Sequence, residues 1–105
     1  MISEHDALQQ ICGRTLIDLR ALWALVLDAL THPHPASEGA VSAFAARATR
    51  RACVDAIQAL GGYGYMEDFR IERYLRDTMT LQTFWIQPAA TERRVAQRVF
   101  AARQA

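Results

Sequence analysis

Apolar residues recur at three- and four-residue steps from the start of the chain. Leu8, Cys12, Leu16, Leu19, Trp23, Val26 and Leu30 form one stripe of a long helix, expected over residues 4–31. Ser3, followed three residues on by Asp6, approximates a capping pair at its start. Thr31-His32-Pro33-His34-Pro35 ends it. Proline lacks the N–H that a helix uses and pushes the preceding residue towards extended backbone. A second helix is expected over 38–60, capped by Ser37. Its inner face reads Val41, Ala45, Ala48, Ala52, Ala56 and Ala59, with Phe44, Ile57 and Leu60 at the flanks. Those small side chains leave room for a neighbouring helix to come close. Gly61 supplies the left-handed residue that commonly stops a helix.

A third helix over about 70–85 carries Ile71, Tyr74, Leu75, Thr78, Leu81 and Trp85 on one side. Pro88 suits the first turn of a fourth. That helix turns Val95, Val99 and Phe100 inward and Arg93, Arg94, Arg98 and Arg103 outward. The pattern holds no strand, internal repeat or low-complexity tract. It predicts an all-α fold, an antiparallel four-helix bundle, with residues 1–105 as a single domain.

Composition narrows the function classes. With 51% apolar residues among 105, the chain is not of the disordered type. At this length it buries about 60–70% of the surface its unfolded form exposes, enough for one core. A net charge of +1 gives no electrostatic case for nucleic acid or a membrane surface. Met1 leads straight into Ser3-Glu4-His5-Asp6, without the regions of a signal peptide. The apolar run Ala21 to Leu30 is broken by Asp28 and is too short to cross a bilayer. A cytoplasmic protein is expected.

Cys12 and Cys53 sit on separate helices without CxxC spacing. They are expected as reduced core thiols, although spacing leaves a disulfide open. His32 and His34 alternate in the Pro-rich turn, so their rings could share a side. With no third ligand nearby, a polar interhelical loop is expected and no metal site. Arg47, Arg50 and Arg51 read as a solvated helix face. The alternative is a contact to nucleotide phosphates or to a partner subunit. Trp23 and Trp85 read as core or interface anchors.

Gly61-Gly62-Tyr63-Gly64 looks superficially like a phosphate loop. A dinucleotide fingerprint needs a strand before it, and here a helix comes before. The local reading is a Schellman-type stop. Gln58-Ala59-Leu60-Gly61-Gly62, the Tyr63-Gly64-Tyr65 loop, and Glu72-Arg73-Tyr74-Leu75-Arg76-Asp77 together resemble the C-terminal helical domain of the acyl-CoA dehydrogenases, which are FAD enzymes. The likeness is strong over about twenty residues and extends to the flanking helices by pattern. It implies a cofactor-facing segment at Gln58, Ala59, Leu60, Gly61 and Gly62. In the family the equivalents of Gln58, Gly61 and Gly62 touch the FAD diphosphate across a subunit interface. Arg76 and Asp77 match a family pair, read here as an ion pair that fixes the helix.

The departures bear on chemistry. About eight residues after its Arg-Asp pair, the family carries a Tyr-Glu-Gly-Thr-like run whose Glu is often the base. This chain reads Thr83-Phe84-Trp85-Ile86-Gln87-Pro88. Trp85 takes the acid's place, and an indole cannot accept a proton. Glu92, seven residues further on, is a poor substitute. Other members carry the base on an earlier helix of this domain, and the chain is expected to start near the family's second. The family's N-terminal helical and middle β domains are also expected to lie outside it. No catalytic residue is assigned, and the chain alone is not expected to turn over an acyl-CoA.

Two functions stay open. One is a module that lends Gln58–Gly62 to a shared FAD site in a homo-oligomer or with a partner flavoprotein subunit, reaching an acyl-CoA substrate through the partner. The other is a degenerate helical oligomerisation module without cofactor. A small helical transcription regulator would need a recognition helix with clustered base-reading side chains, which the sequence lacks.

Overall fold

The computed structural model describes residues 6–61, 70–84 and 87–104. They form four helices: α1 Asp6–Thr31, α2 Ser37–Leu60, α3 Ile71–Phe84 and α4 Pro88–Gln104. The expected all-α architecture is present, and the compared helix ends fall within two residues of expectation. Ser3, half of the anticipated capping pair, lies outside the described residues.

The start of α2 is built differently from the expectation. Ser37 is the first helical residue, and Ala36 holds the cap position without a side-chain cap bond. The turn is closed by His34. Its Nδ1 accepts from the Ala36 N–H at 3.1 Å, and its carbonyl accepts from the Ser37 N–H at 2.9 Å. The two histidines therefore serve the turn, with His32 Nδ1 3.0 Å from Thr31 Oγ1. No group of three metal-ligating side chains is found among the described residues. We expect His34→Ala to lower stability by about 1 kcal/mol, as loss of a helix cap does, and His34→Asn to restore most of it. Urea denaturation of the two variants checks this, and equal losses would contradict it.

Every substantial helix interface involves α2. Arg14 pairs with Asp55 and Asp18 with Arg51, so α1 and α2 run antiparallel. On another side of α2, Gln82 Nε2 donates to the Ala46 carbonyl at 2.6 Å, while Leu75 borders Ile57 and Gln58. Thus α3 runs antiparallel along the later half of α2. Further back, Arg47 meets Glu92 at 2.5 Å, Gly39 faces Val95, and Arg98 Nη1 donates to the Pro35 carbonyl at 2.7 Å. So α4 runs antiparallel along the earlier half. Helices α3 and α4 therefore succeed one another along one flank of α2, with α1 on another. The resulting body is elongated, 56 × 29 × 19 Å with a radius of gyration of 16.6 Å, against about 13 Å for a compact chain of this size.

Burial follows from that layout. The buried apolar residues are Ala36, Ala43, Ala46, Ala48 and Ile57, and among the described residues no large side chain is fully enclosed. Of the inner face expected for α2, Ala48 is buried, Val41, Ala45, Ala52 and Ala56 are half-buried, and Ala59 is exposed. The larger departure is in α1. Of the apolar stripe expected on one face of the helix, Leu16, Leu19, Trp23 and Leu30 are exposed, and so is Cys12, expected as a core thiol, while Leu8 and Val26 are half-buried. The side turned to α2 carries Ile11, Arg14, Asp18, Leu22 and Leu25 instead. Both cysteines are free thiols, with Cys53 half-buried. Phe100, expected inward, is exposed, as are Tyr74 and Leu81 of the α3 stripe. The inward positions of α3 are Ile71, Leu75, Thr78 and Gln82.

Candidate functional site

Helix α2 stops where its sequence stops supporting it. Gly61 adopts φ 59°, ψ −131°, a conformation open to glycine and strained for other residues. Its N–H turns back to the Gln58 carbonyl, which occupies a donor that a ligand could otherwise use. A Cβ placed on Gly61 would meet no atom of the other described residues within 4 Å. The glycine is therefore required by the backbone turn, and no other described residue fills the space above it.

Gln58 and Gly61 form the lip of a groove of about 400 Å³, floored by Val54, Ile57 and Leu75. Val54, Ile57, Gln58 and Gly61 follow helical spacing of three, four and seven, so the face was legible in α2. Its extension to Leu75 needed the docking of α3. Of the five residues expected to face a cofactor, Gln58, Ala59 and Gly61 are exposed and Leu60 is half-buried. Gly62 lies outside the described residues, as does Trp85.

The electrostatics at this end are specific. The carbonyl end of a helix carries partial negative charge, and α2 has no basic residue in its last turn. The helix end alone is thus a poor seat for a diphosphate. Among the described residues at the lip, Gln58 supplies a neutral amide donor and Gly61 a close backbone approach. One wall of a dinucleotide site fits these groups; a whole site does not.

A larger groove of about 670 Å³ opens beside it, bounded by Phe44, Arg47, Arg50, Arg51, Gln82 and Pro88 among others. Its arginines are mostly committed. Arg51 donates to Asp18, and Arg47 holds Glu92. The Arg51 pKa is raised, first by its hydrogen bond to Asp18, against the opposing effect of desolvation. The basic cluster therefore reads largely as cross-links between helices. Arg50 is exposed.

Carboxylates are committed too. Asp18 and Asp55 are 8% and 5% exposed, and each is held by an arginine from the other helix. Glu92 is engaged by Arg47, which agrees with its reading as a poor base. Arg76 pairs with Glu72 one turn earlier on α3, at 3.0 Å, and not with Asp77. That pair stiffens α3 internally instead of fixing it to a neighbour, and Asp77 is exposed.

Known proteins are similar to this chain in sequence. The chain is 34% identical over 90 residues to a cyclohexane-1-carbonyl-CoA dehydrogenase of Geobacter metallireducens, covering 79% of this chain and 23% of the relative. It is 49% identical over 41 residues to an acyl-CoA dehydrogenase of Bacillus subtilis, covering 39% and 11% respectively. A cyclohex-1-ene-1-carbonyl-CoA dehydrogenase of Syntrophus aciditrophicus matches at 32% over 59 residues, covering 56% and 14%. The chain spans less than a quarter of the length of each of these relatives. No solved structure matches it significantly. Residues 1–85 match the acyl-CoA dehydrogenase C-terminal domain, and the chain belongs to that family.

Proposed function

We propose that this chain is a C-terminal helical module of a flavin-dependent acyl-CoA oxidoreductase, lending one wall to an FAD site and taking part in subunit assembly. The observation that carries this reading is the Gly61 turn, whose glycine-only backbone lies beside Gln58 with no atom of the described residues filling the space above it. A bound flavin would accept the hydride removed from the acyl chain. The residues of this chain contribute positioning. Gln58 offers an amide N–H to phosphate or ribose oxygens, and Gly61 lets the ligand rest on backbone. The groove floor of Val54, Ile57 and Leu75 excludes water from its apolar side. The phosphate charge is met by donors from the rest of the assembly, because the last turn of α2 has no cation. The buried carboxylates of this chain, each tied to arginine, do not take the substrate proton.

The second reading, an assembly module without cofactor, is favoured by the exposed apolar residues of α1. Affinity purification of the tagged full chain from its own cells, followed by absorbance and mass spectrometry for FAD, separates the two. We expect the wild-type assembly to carry flavin. Gln58→Leu removes an exposed donor without touching the fold, and we expect it to weaken FAD retention about tenfold, equivalent to one lost hydrogen bond of about 1.4 kcal/mol. An intact assembly free of flavin leaves the second reading.

A further inference from the structure

Two helix ends of opposite polarity meet at the Pro-rich turn, and His34 stands between them. Its ring serves α2, because Nδ1 accepts from the Ala36 N–H at 3.1 Å. That bond needs a bare Nδ1. A protonated imidazole carries hydrogen on both ring nitrogens and accepts at neither. Its positive charge is also disfavoured beside the amino end of a helix. Histidine is the side chain whose ordinary change of charge falls between about pH 5 and 8. The bond that closes the start of α2 is therefore one that a proton removes.

The same turn offers the charged ring a second seat. His34 lines a cleft together with Leu25 and Asp28 of α1 and Ser37 of α2. The carboxyl end of α1 carries partial negative charge, and its last turn has no basic residue. His32 is already drawn there, with Nδ1 3.4 Å from Asp28 Oδ1. We propose that the turn is a proton-operated switch. Neutral His34 caps α2, and protonated His34 leaves the Ala36 N–H and turns to Asp28 at the end of α1.

The surrounding charges set the balance. Asp28 on α1 and Glu38 in the first turn of α2 favour the charged ring. A protonated His32 and Arg98 of α4 oppose it. Arg98 Nη1 donates to the Pro35 carbonyl at 2.7 Å, one residue from His34. The Ala36 carbonyl in turn accepts from the Ala40 N–H at 3.0 Å. One proton thus loosens both the first turn of α2 and an anchor of α4. The contribution of the cap is complete where the ring is neutral and is lost as pH falls through its titration. The exposed ion pair to Asp28 offsets part of that loss, so the change stays local and the helices persist. This inference needs neither the flavin half nor the assembly half of the proposed function.

Hydrogen exchange followed by NMR on the full chain, at about pH 8 and about pH 5, tests the switch. Each rate is divided by the intrinsic exchange rate at its own pH. The protection of the Ala36 amide is expected to fall about fivefold at the lower pH, the factor that loss of a cap of about 1 kcal/mol gives. In His34→Asn, whose side-chain oxygen accepts at either pH, protection is expected to stay level. In His32→Asn the fall is expected to remain. Circular dichroism is expected to show the same helix content at both pH values. An Ala36 amide equally protected at both overturns the proposal, and so does an equal fall in His34→Asn. A fall abolished by His32→Asn gives the effect to the wrong histidine and overturns it too. A general loss of helix at the lower pH overturns its local character.

Discussion

Arg14→Met lowers the stability of this protein by about 2–3 kcal/mol. The reason is the reciprocal cross-link between α1 and α2. Asp55 accepts two hydrogen bonds from Arg14, at 2.6 and 3.0 Å, and is almost wholly buried. Methionine keeps the apolar stem but leaves that carboxylate in a poorly solvated place without its cation. Breaking a buried pair from one side costs about 3–5 kcal/mol. The Arg14 side chain is 40% exposed, so water softens the loss, and the lower figure follows. In a domain of this size the melting temperature falls by about 10–20 °C. The double variant Arg14→Met, Asp55→Leu recovers most of the loss, because no charge is then left unpaired. Thermal and urea denaturation measure both. A loss near zero for Arg14→Met, or no recovery in the double variant, contradicts this account. The companion pair is insensitive to pH from the arginine side. A raised cation pKa gives stability that is complete below the unfolded value and lost only as pH rises past the folded one. For Arg51 that window lies far above neutrality.

The second large effect is expected at Gly39. Its position in α2 brings the helix close to α4, and a Cβ there would stand 2.6 Å from Cγ2 of Val95. Valine is stiff at χ1 and cannot swing away as a long side chain would. Gly39→Leu therefore forces α4 outward, at about 2–3 kcal/mol for overpacking. Gly39→Ala is the more instructive variant. Alanine gains about 1 kcal/mol of helix propensity over glycine, while the clash costs about 1–3 kcal/mol. The net is a loss. Adding Val95→Ala removes the clashing methyl, and the double variant becomes more stable than Val95→Ala alone. A Gly39→Ala chain that is already more stable than wild type would show that α4 yields at little cost.

The helices were legible in the sequence because their boundaries depend on local chemistry. Pro33 and Pro35 stop α1, Gly61 stops α2, and Pro88 opens α4. The direction each face points was less legible. Periodicity reports that Leu16, Leu19 and Trp23 share a side; it does not report what covers that side. The most apolar stripe of α1 is largely exposed, while the side that meets α2 includes Arg14 and Asp18. No local pattern pairs those charges, because their partners, Asp55 and Arg51, lie 41 and 33 positions away. The candidate site was legible at Gln58 and Gly61, where a motif and a backbone stop coincide. Leu75 joins it only through the packing of α3, which no local pattern encodes. Likewise, the cap of α2 was assigned to Ser37 by type, whereas the His34 ring reaches the Ala36 N–H first.

Because α3 and α4 succeed one another along α2 and every substantial interface is shared with α2, the molecule behaves more like a short ladder than a closed sphere. The central helix is guarded on several flanks, so its amides should resist hydrogen exchange longest. Helix α4 can lift away without loosening α1, and α1 can lift without disturbing α4. Opening in such a layout proceeds by detachment of separate units. A disturbance at the Pro-rich turn therefore reaches the Gly61 lip through the length of α2, and its rigidity governs how strongly the two ends are coupled.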